Sequence, residues 1–326
     1  MNRQIVDIDL KPAVGSRFQP TGFPDLGAAE YQAPAGDGTW VNALLVESAQ
    51  SMANHLEAMA WNEADNAPES VVAGLPWVKV VAADDGRYIT SSRVEAHRLA
   101  SAFVKDSTTA DGTDMVQFLA EAMGLRADTP HNRQEIATAL FRLDPFCLLH
   151  GVFFADKRWP GQPKIARAVT GGIEALGVQP AHSGGVKHDN VRHSLSEGGG
   201  TSEGYGTVPF HRTEYTAQRI TASFSIDTRQ ISSYGLSTQA TQILKLLPQW
   251  QIQRLVNGGL RLRTACDLVP VDPNTLADRS GAVIAEEKLL ADQITELASQ
   301  CPELANVDNP ILTVKWADQG KRKDKK

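Results

Sequence analysis

Apolar and polar positions along this 326-residue chain form short blocks with two competing periods. Residues 4–10 alternate, with Ile5 and Val6 leading, and predict a first strand. Residues 41–46 predict another, running into a helix over 48–59. Residues 71–82 read as extended, with Pro76 pushing them toward an edge or a loop. Helical spacing follows over 91–104, 114–123 and 132–142. The nearly continuous apolar run 147–154 is short enough for a central strand, and 164–176 predicts an amphipathic helix with Gly177 as its C-cap. Residues 220–226 alternate as a half-buried strand. Ser237 caps a helix that runs to Leu247 and is interrupted at Pro248. A strand over 260–268, an amphipathic helix over 283–297 and a closing strand over 311–316 complete the pattern. Strands and helices mix without a regular βα repeat, so the predicted fold class is α+β. The strand-then-helix reading of 147–176 corresponds to half of a ferredoxin-like or RRM-like unit.

Three segments break the pattern. Residues 15–27 hold Gly15, Gly22 and Gly27, Pro20 and Pro24, Phe18 and Phe23, and a single cation, Arg17. That is loop chemistry, because glycine opens backbone angles and proline removes amide donors. A phosphate loop of the Walker type needs a Lys where Phe23 stands, and a dinucleotide fingerprint needs Gly-x-Gly-x-x-Gly. Neither fits, which leaves an ordinary surface loop or a polyanion contact. The 48–59 helix places Ser48, Gln50, Ser51 and Asn54 where a plain surface helix would carry Lys and Glu, while Met52 and Leu56 face a core. Residues 181–213 are rich in Gly, Ser and His and cannot pack a core of their own.

Charge is segregated beneath a net of −6. Residues 1–75 hold three cations against ten acids, whereas 150–219 hold eight Lys and Arg against six acids, with five of the eight histidines. A short basic tail closes the chain at 321–326. A polyanion site needs local positive potential rather than a basic average. The segregation permits RNA binding, and a solvated charged face explains it equally well. The N-terminus lacks a signal-peptide core and no run of eighteen apolar residues exists, so a cytoplasmic protein without membrane contact is expected. Cys147, Cys266 and Cys301 are far apart, which predicts buried free thiols in a reducing compartment.

Catalytic constellations are weak. His182, His188, His193 and His211 with Asp189 lie in a glycine-rich segment without helical metal-ligand spacing or a Cys partner, so no metal or other cofactor is expected. No spaced Ser/His/Asp set stands out, and the Asp84-Asp85-Gly86 turn explains its own carboxylates. The chain reads as a non-enzyme.

The runs Gly-Ser-Arg-Phe-Gln-Pro-Thr-Gly-Phe-Pro-Asp-Leu-Gly-Ala-Ala at 15–29 and Leu-Val-Glu-Ser-Ala-Gln-Ser-Met-Ala-Asn at 45–54 resemble a CRISPR-associated family. This is the Csb-type Cas7 backbone subunit of type I-G (formerly I-U) Cascade. His150-Gly151-Val152-Phe153-Phe154 and Gly184-Gly185-Val186-Lys187 also look like family signatures. One departure is His55, where the family pattern leads us to expect Arg; a phosphate contact there would be weaker and pH-sensitive.

The resemblance implies one elaborated RRM-like palm with large insertions: a mostly helical one over 60–142 and a mobile thumb or finger over 181–213. It implies copies stacked as a helical filament along a guide RNA (crRNA), presenting it to target DNA beside a Cas5/Cas6-like fusion subunit and a large subunit. Arg17 would pair with a phosphate while backbone amides of the loop supply further donors, and Gln19, Thr21 and Gly22 belong to the same RNA-binding loop. Phe18 and Phe23 would either stack on a base or anchor the loop in the core. Ser48, Gln50, Ser51 and Asn54 would hydrogen-bond sugars and phosphates, though Gln50 and Asn54, four apart on one helix face, would equally cap neighbouring backbone. Lys187, His188, Arg192 and His193 would contact the backbone from the thumb. Two rivals stand beside this reading. Type III relatives cleave bound RNA through a thumb-loop Asp, for which Asp189 is the candidate here. A generic protein-interaction scaffold would bind no nucleic acid.

Overall fold

Val6, Ile8 and Leu10 point inward from the first strand while Asp7 and Asp9 point away, and this two-residue period sets the architecture. The computed structural model describes residues 2–23, 27–188, 206, 208–272, 276–305 and 309–317. Strands β1 (Gln4–Pro12), β2 (Glu30–Pro34) and β3 (Trp40–Glu47) precede helix α1 (Ala49–Ala58). Strands β4 (Trp77–Ala82), β5 (Tyr88–Ser91) and β6 (Ser107–Thr108) follow. Helices α2 (Met115–Ala122), α3 (Arg133–Leu143) and α4 (Phe146–His150) lead to β7 (Val169–Leu176). Strands β8 (Gln179–Lys187), β9 (Val208–Thr216) and β10 (Arg219–Ile226) come next. Helix α5 (Thr238–Asn257), strands β11 (Leu260–Arg263) and β12 (Cys266–Pro270), helix α6 (Glu287–Ser299) and β13 (Ile311–Trp316) close the chain.

The fold mixes helices with a main antiparallel sheet of order β11-β12-β1-β10-β7-β3-β2. One face of the sheet carries Ile8, Ile173, Ala222 and Phe224 into a core covered by α1 and α5, which also pack on each other. Gly171 allows the close approach of α1: a Cβ there would lie 2.6 Å from the Phe224 ring and 3.0 Å from Met52. The other face is polar. Asp7 accepts from Ser223 Oγ at 2.6 Å and from Arg279 at 3.1 Å, and Asp9 accepts from Arg219 at 2.8 Å. A second sheet, β6-β13-β4-β5, joins β13 to β4 in parallel, from Ile311↔Trp77 to Trp316↔Ala82. Strands β8 and β9 form a separate two-stranded ribbon, paired from Gln179↔Thr216 to Lys187↔Val208.

Several expectations are corrected. The 147–154 run is helix α4 followed by a two-residue strand, Val152–Phe153. All five residues of α4 are buried, and a segment buried all round has no polar face to reveal its period. The helix expected over 164–176 is the strand pair Lys164–Ile165 and Val169–Leu176, and Gly177, at φ +62°, makes the turn into the ribbon. Its alternation is masked because Gly171 and Ala175 take inward positions that bulky residues usually fill. Residues 91–104 hold only the one-turn helices Arg98–Ala100 and Ala102–Lys105. Helix α5 continues through Pro248 to Asn257. Proline costs about 3 kcal/mol in a helix interior, and burial of Leu247, Trp250, Ile252 and Leu255 around it offsets that. The single strand over 260–268 is a hairpin, β11 and β12, turned at Ala265 with φ +60°. Pro76 precedes β4, which is an interior strand rather than an edge. Segment 60–142 contributes three strands of the second sheet as well as α2 and α3.

The three cysteines are buried and unpaired, as expected. Burial pushes the thiols of Cys266 and Cys301 up to about 11, and that of Cys147 higher still, which makes them unreactive.

Candidate nucleic-acid interface

The glycine loop is fastened at four points to different elements. Phe18 N–H donates to Tyr215 O and Tyr215 N–H returns the bond to Phe18 O, both at 2.9 Å, which ties the loop to the ribbon base. Gln19 N–H donates to Ala265 O at 2.8 Å in the β11–β12 turn, and Gln19 O accepts from Arg263 Nη1 at 3.1 Å. Thr21 N–H donates to Val46 O at 3.1 Å, three residues before α1. One loop therefore joins the sheet, the start of α1 and the ribbon. A groove of about 840 Å³ lies beside it, lined by Gln19, Thr21, Gly22, Glu30, Tyr215 and Arg263.

Gly22 has a steric reason. A Cβ there would lie 2.7 Å from Gly27 O, inside the short pair Gly22–Phe23 with Gly27–Ala28. Gly22→Ala is expected to destabilise the protein by about 1–3 kcal/mol as the pair is forced apart. A urea unfolding curve with an unchanged midpoint would show that the close approach is not needed.

Arg17 is half exposed, at 55%, and its Nη1 lies 3.3 Å from the buried carboxylate of Glu214. Arg212 pairs with the same carboxylate at 2.8 Å. Two guanidiniums share one anion, so the cluster keeps a net positive charge at the foot of the ribbon. Residues 13–17 are exposed, Gly15 takes φ +69°, and the amides of Ser16 and Arg17 have no partner among the described residues. Free amides in such a turn are anion donors. Phe18 is fully buried, so it anchors the loop and offers no ring for stacking.

Ser48 is spent as the α1 N-cap, accepting from Ser51 N–H at 3.3 Å. Gln50 and Asn54 are exposed on one face of α1, and Ser51 is half-buried beside them. His55 turns toward Glu47, 3.9 Å away, and burial holds its imidazole below the usual histidine range. Glu47 is buried against Arg263, which fixes the end of β3 to β11. Arg167 reaches across to donate to Ala49 O at 3.2 Å.

Along the ribbon, side chains alternate between two faces. Val208, Phe210, Arg212 and Glu214 share one face with Gly185 and Lys187 of β8. Phe210 is half exposed, with Gly185 beneath its ring and Arg212 5.9 Å from its centroid. Lys187 and His188 are exposed at the far end. Arg192, His193 and Asp189 lie outside the described residues, as does the basic tail. Among the described residues, no group of three or more His, Cys, Asp or Glu is placed to hold a metal ion. No described helix is long and apolar enough to cross a membrane.

The structure therefore brings together Arg17, Gln19, Thr21, Gly22 and the start of α1, and adds Arg212, Phe210, Arg263 and Arg167. Of these four, Arg167 and Arg212 entered the sequence reading only through the count of cations over 150–219, and Phe210 and Arg263 were not singled out. Only the strand pairing puts Arg212 and Phe210 on the face that Arg17 reaches.

Comparisons with known proteins assign the chain at the level of family. No curated protein matches the chain. Among the solved structures that match, two align along most of it. One is a chain described as "CRISPR RNA-guided surveillance complex, pre-nicking", at 12% identity and TM-score 0.39, covering 84% of this chain and 75% of that one. The other is Thermofilum pendens Csc2, at 9% identity and TM-score 0.31, covering 92% and 77%. At such scores neither carries weight for function. The family described as CRISPR-associated protein GSU0053 matches residues 5–180, more than half of the chain and including both motif runs. The chain belongs to this CRISPR-associated protein GSU0053 family, which is of the Cas7 type.

Proposed function

We propose that this chain is a non-catalytic guide-RNA-binding backbone subunit of a type I-G CRISPR effector complex. The observation that carries the reading is the continuous face formed by the glycine loop and one side of the ribbon. On it, Arg17, Arg212 and Lys187 alternate with the exposed ring of Phe210. Cations spaced along a backbone track with an interleaved aromatic suit a single-stranded polyanion. The polar face of the main sheet suits it poorly, since Asp7 and Asp9 are already paired with Arg279 and Arg219.

The topology supports a ferredoxin-like palm. Strands β12-β1-β10-β7 lie side by side, with α1 between β1 and β7 and α5 between β10 and β12 in the chain. The ribbon takes the part of a thumb, and copies would stack along the guide so that base pairing reads target DNA. Gln50 and Asn54 supply further contacts to ribose and phosphate, while the other Cascade subunits cap the assembly. The subunit works without a metal in the cytoplasm.

The test is guide binding across a salt series, followed by fluorescence anisotropy. Arg17→Ala is expected to weaken binding and to lower the slope of log affinity against log salt by about one. Unchanged affinity and slope would remove Arg17 from the interface. Nuclease activity would appear as cleavage of complementary RNA in Mg²⁺, and its appearance would overturn the non-catalytic reading.

A further inference from the structure

A second cationic cavity lies away from the glycine loop. It has a volume of about 450 Å³ and is lined by the first turn of α3, residues 161–166 and residues 230–234. The polar residues in its wall include Arg133, Gln162, Lys164, Gln230 and Tyr234, and no lining residue is acidic. Among the described residues, neither Arg133 nor Lys164 has a carboxylate in ion-pair range. Both side chains are exposed at the rim, Lys164 5.7 Å from the Phe153 ring centroid.

The wall behind them is rigid. Gln230 Nε2 donates to Ala166 O at 2.7 Å and to Tyr234 Oη at 2.8 Å, and Tyr234 Oη donates to Leu148 O at 2.7 Å. His131 Nε2 lies 2.9 Å from Pro160 O, to which it donates, leaving Nδ1 free. Gly161, at φ +67°, is what admits the imidazole: a Cβ there would lie 2.3 Å from His131 Cε1. Two unpaired cations over a fixed, acid-free polar wall form a site that favours an anion, and the volume fits a mononucleotide. The cavity also borders the guide surface, because Ala166 lines it and the next residue, Arg167, touches Ala49 at the start of α1.

We propose that this cavity binds a phosphate group, either of a free nucleotide or of a nucleic-acid strand other than the guide. The strand alternative rests on the guide-binding reading; the nucleotide alternative stands without it. Two probes separate the sources. The full-length chain is titrated with adenosine 5′-monophosphate by calorimetry, with adenosine as the control lacking phosphate. The guide-loaded chain is titrated with a fluorescent single-stranded DNA complementary to the guide. The variant is Arg133→Gln with Lys164→Gln, both at exposed positions, with Lys164→Gln alone as the milder form.

The expected result is a loss of about tenfold or more for one probe in the double variant, with guide affinity held within about twofold. Loss for the monophosphate identifies a nucleotide site. Loss confined to the DNA, with a salt slope lower by about two, identifies a strand phosphate. The proposal is overturned if both probes bind the variant as they bind the parent, or if neither probe binds the parent. An equal fall in guide affinity also overturns it, since the cavity would then be part of the guide track. A parent that binds the monophosphate but no guide RNA leaves this site standing and sinks the guide-binding reading.

Discussion

Arg98→Ala is expected to lower unfolding free energy by about 3–5 kcal/mol, read from urea denaturation at neutral pH. Arg98 lies almost entirely inside the protein, and its Nε and Nη2 both donate to Glu57 at 2.6 Å. Its Nη1 donates to Gly151 O at 2.8 Å, so one guanidinium ties the 92–101 segment to α1 and to the end of α4. Alanine would leave Glu57 buried and unpaired, and the loss of an ion-pair partner costs far more than the pair itself contributes.

The pH dependence has a definite sign. Burial raises the Glu57 carboxyl above its ordinary range, so the folded state holds its proton to higher pH than the unfolded state does. Stability from that group falls as pH rises through the interval, and Arg98 counters the fall. The Arg98→Ala variant should therefore be closer to the parent at pH 4 than at pH 7. Replacing both partners, Arg98→Met with Glu57→Met, should recover most of the loss, because two apolar side chains leave no orphan charge. A double variant no better than Arg98→Ala would show that the pair acts through geometry rather than charge.

Phe210→Ala is expected to weaken guide binding by about 1–3 kcal/mol, roughly fivefold to 150-fold, with the salt slope unchanged. Arg212→Ala, one step along the same face, should lower the slope by about one. The contrast separates stacking from phosphate contact, which share a face of the ribbon and differ in chemistry. Phe210→Trp should bind as tightly as the parent. A Phe210→Ala variant with parental affinity would assign that half-exposed ring to protein contact instead.

Much of this protein was legible in one dimension wherever a segment buries one side only. Strands β1 and β10 alternate cleanly because one face of the main sheet is core and the other is polar. Helix α1 follows from spacing alone, while the use of Ser48 as its N-cap, rather than as a contact, came from the structure. The glycine loop and the polar face of α1 were singled out by composition, and the matching family spans both.

The failures share a cause. Helix α4 is buried on every side, and β7 turns glycine and alanine inward, so neither displays the period of its own structure. Pro248 forecast a break that the buried surroundings of α5 override. At the site, sequence could nominate Arg17 and Phe18 but could not separate contact from anchor. Burial settles that Phe18 is the anchor, and strand register reveals that Arg17 shares Glu214 with Arg212. Residues 17, 212 and 263 carry no joint signal along the chain, because only the folding of distant strands against one loop brings them to it. Sequence determined the family and those local elements that bury one side only; the tertiary structure decided which charges are free, since a charge is free only where no distant partner has been packed beside it.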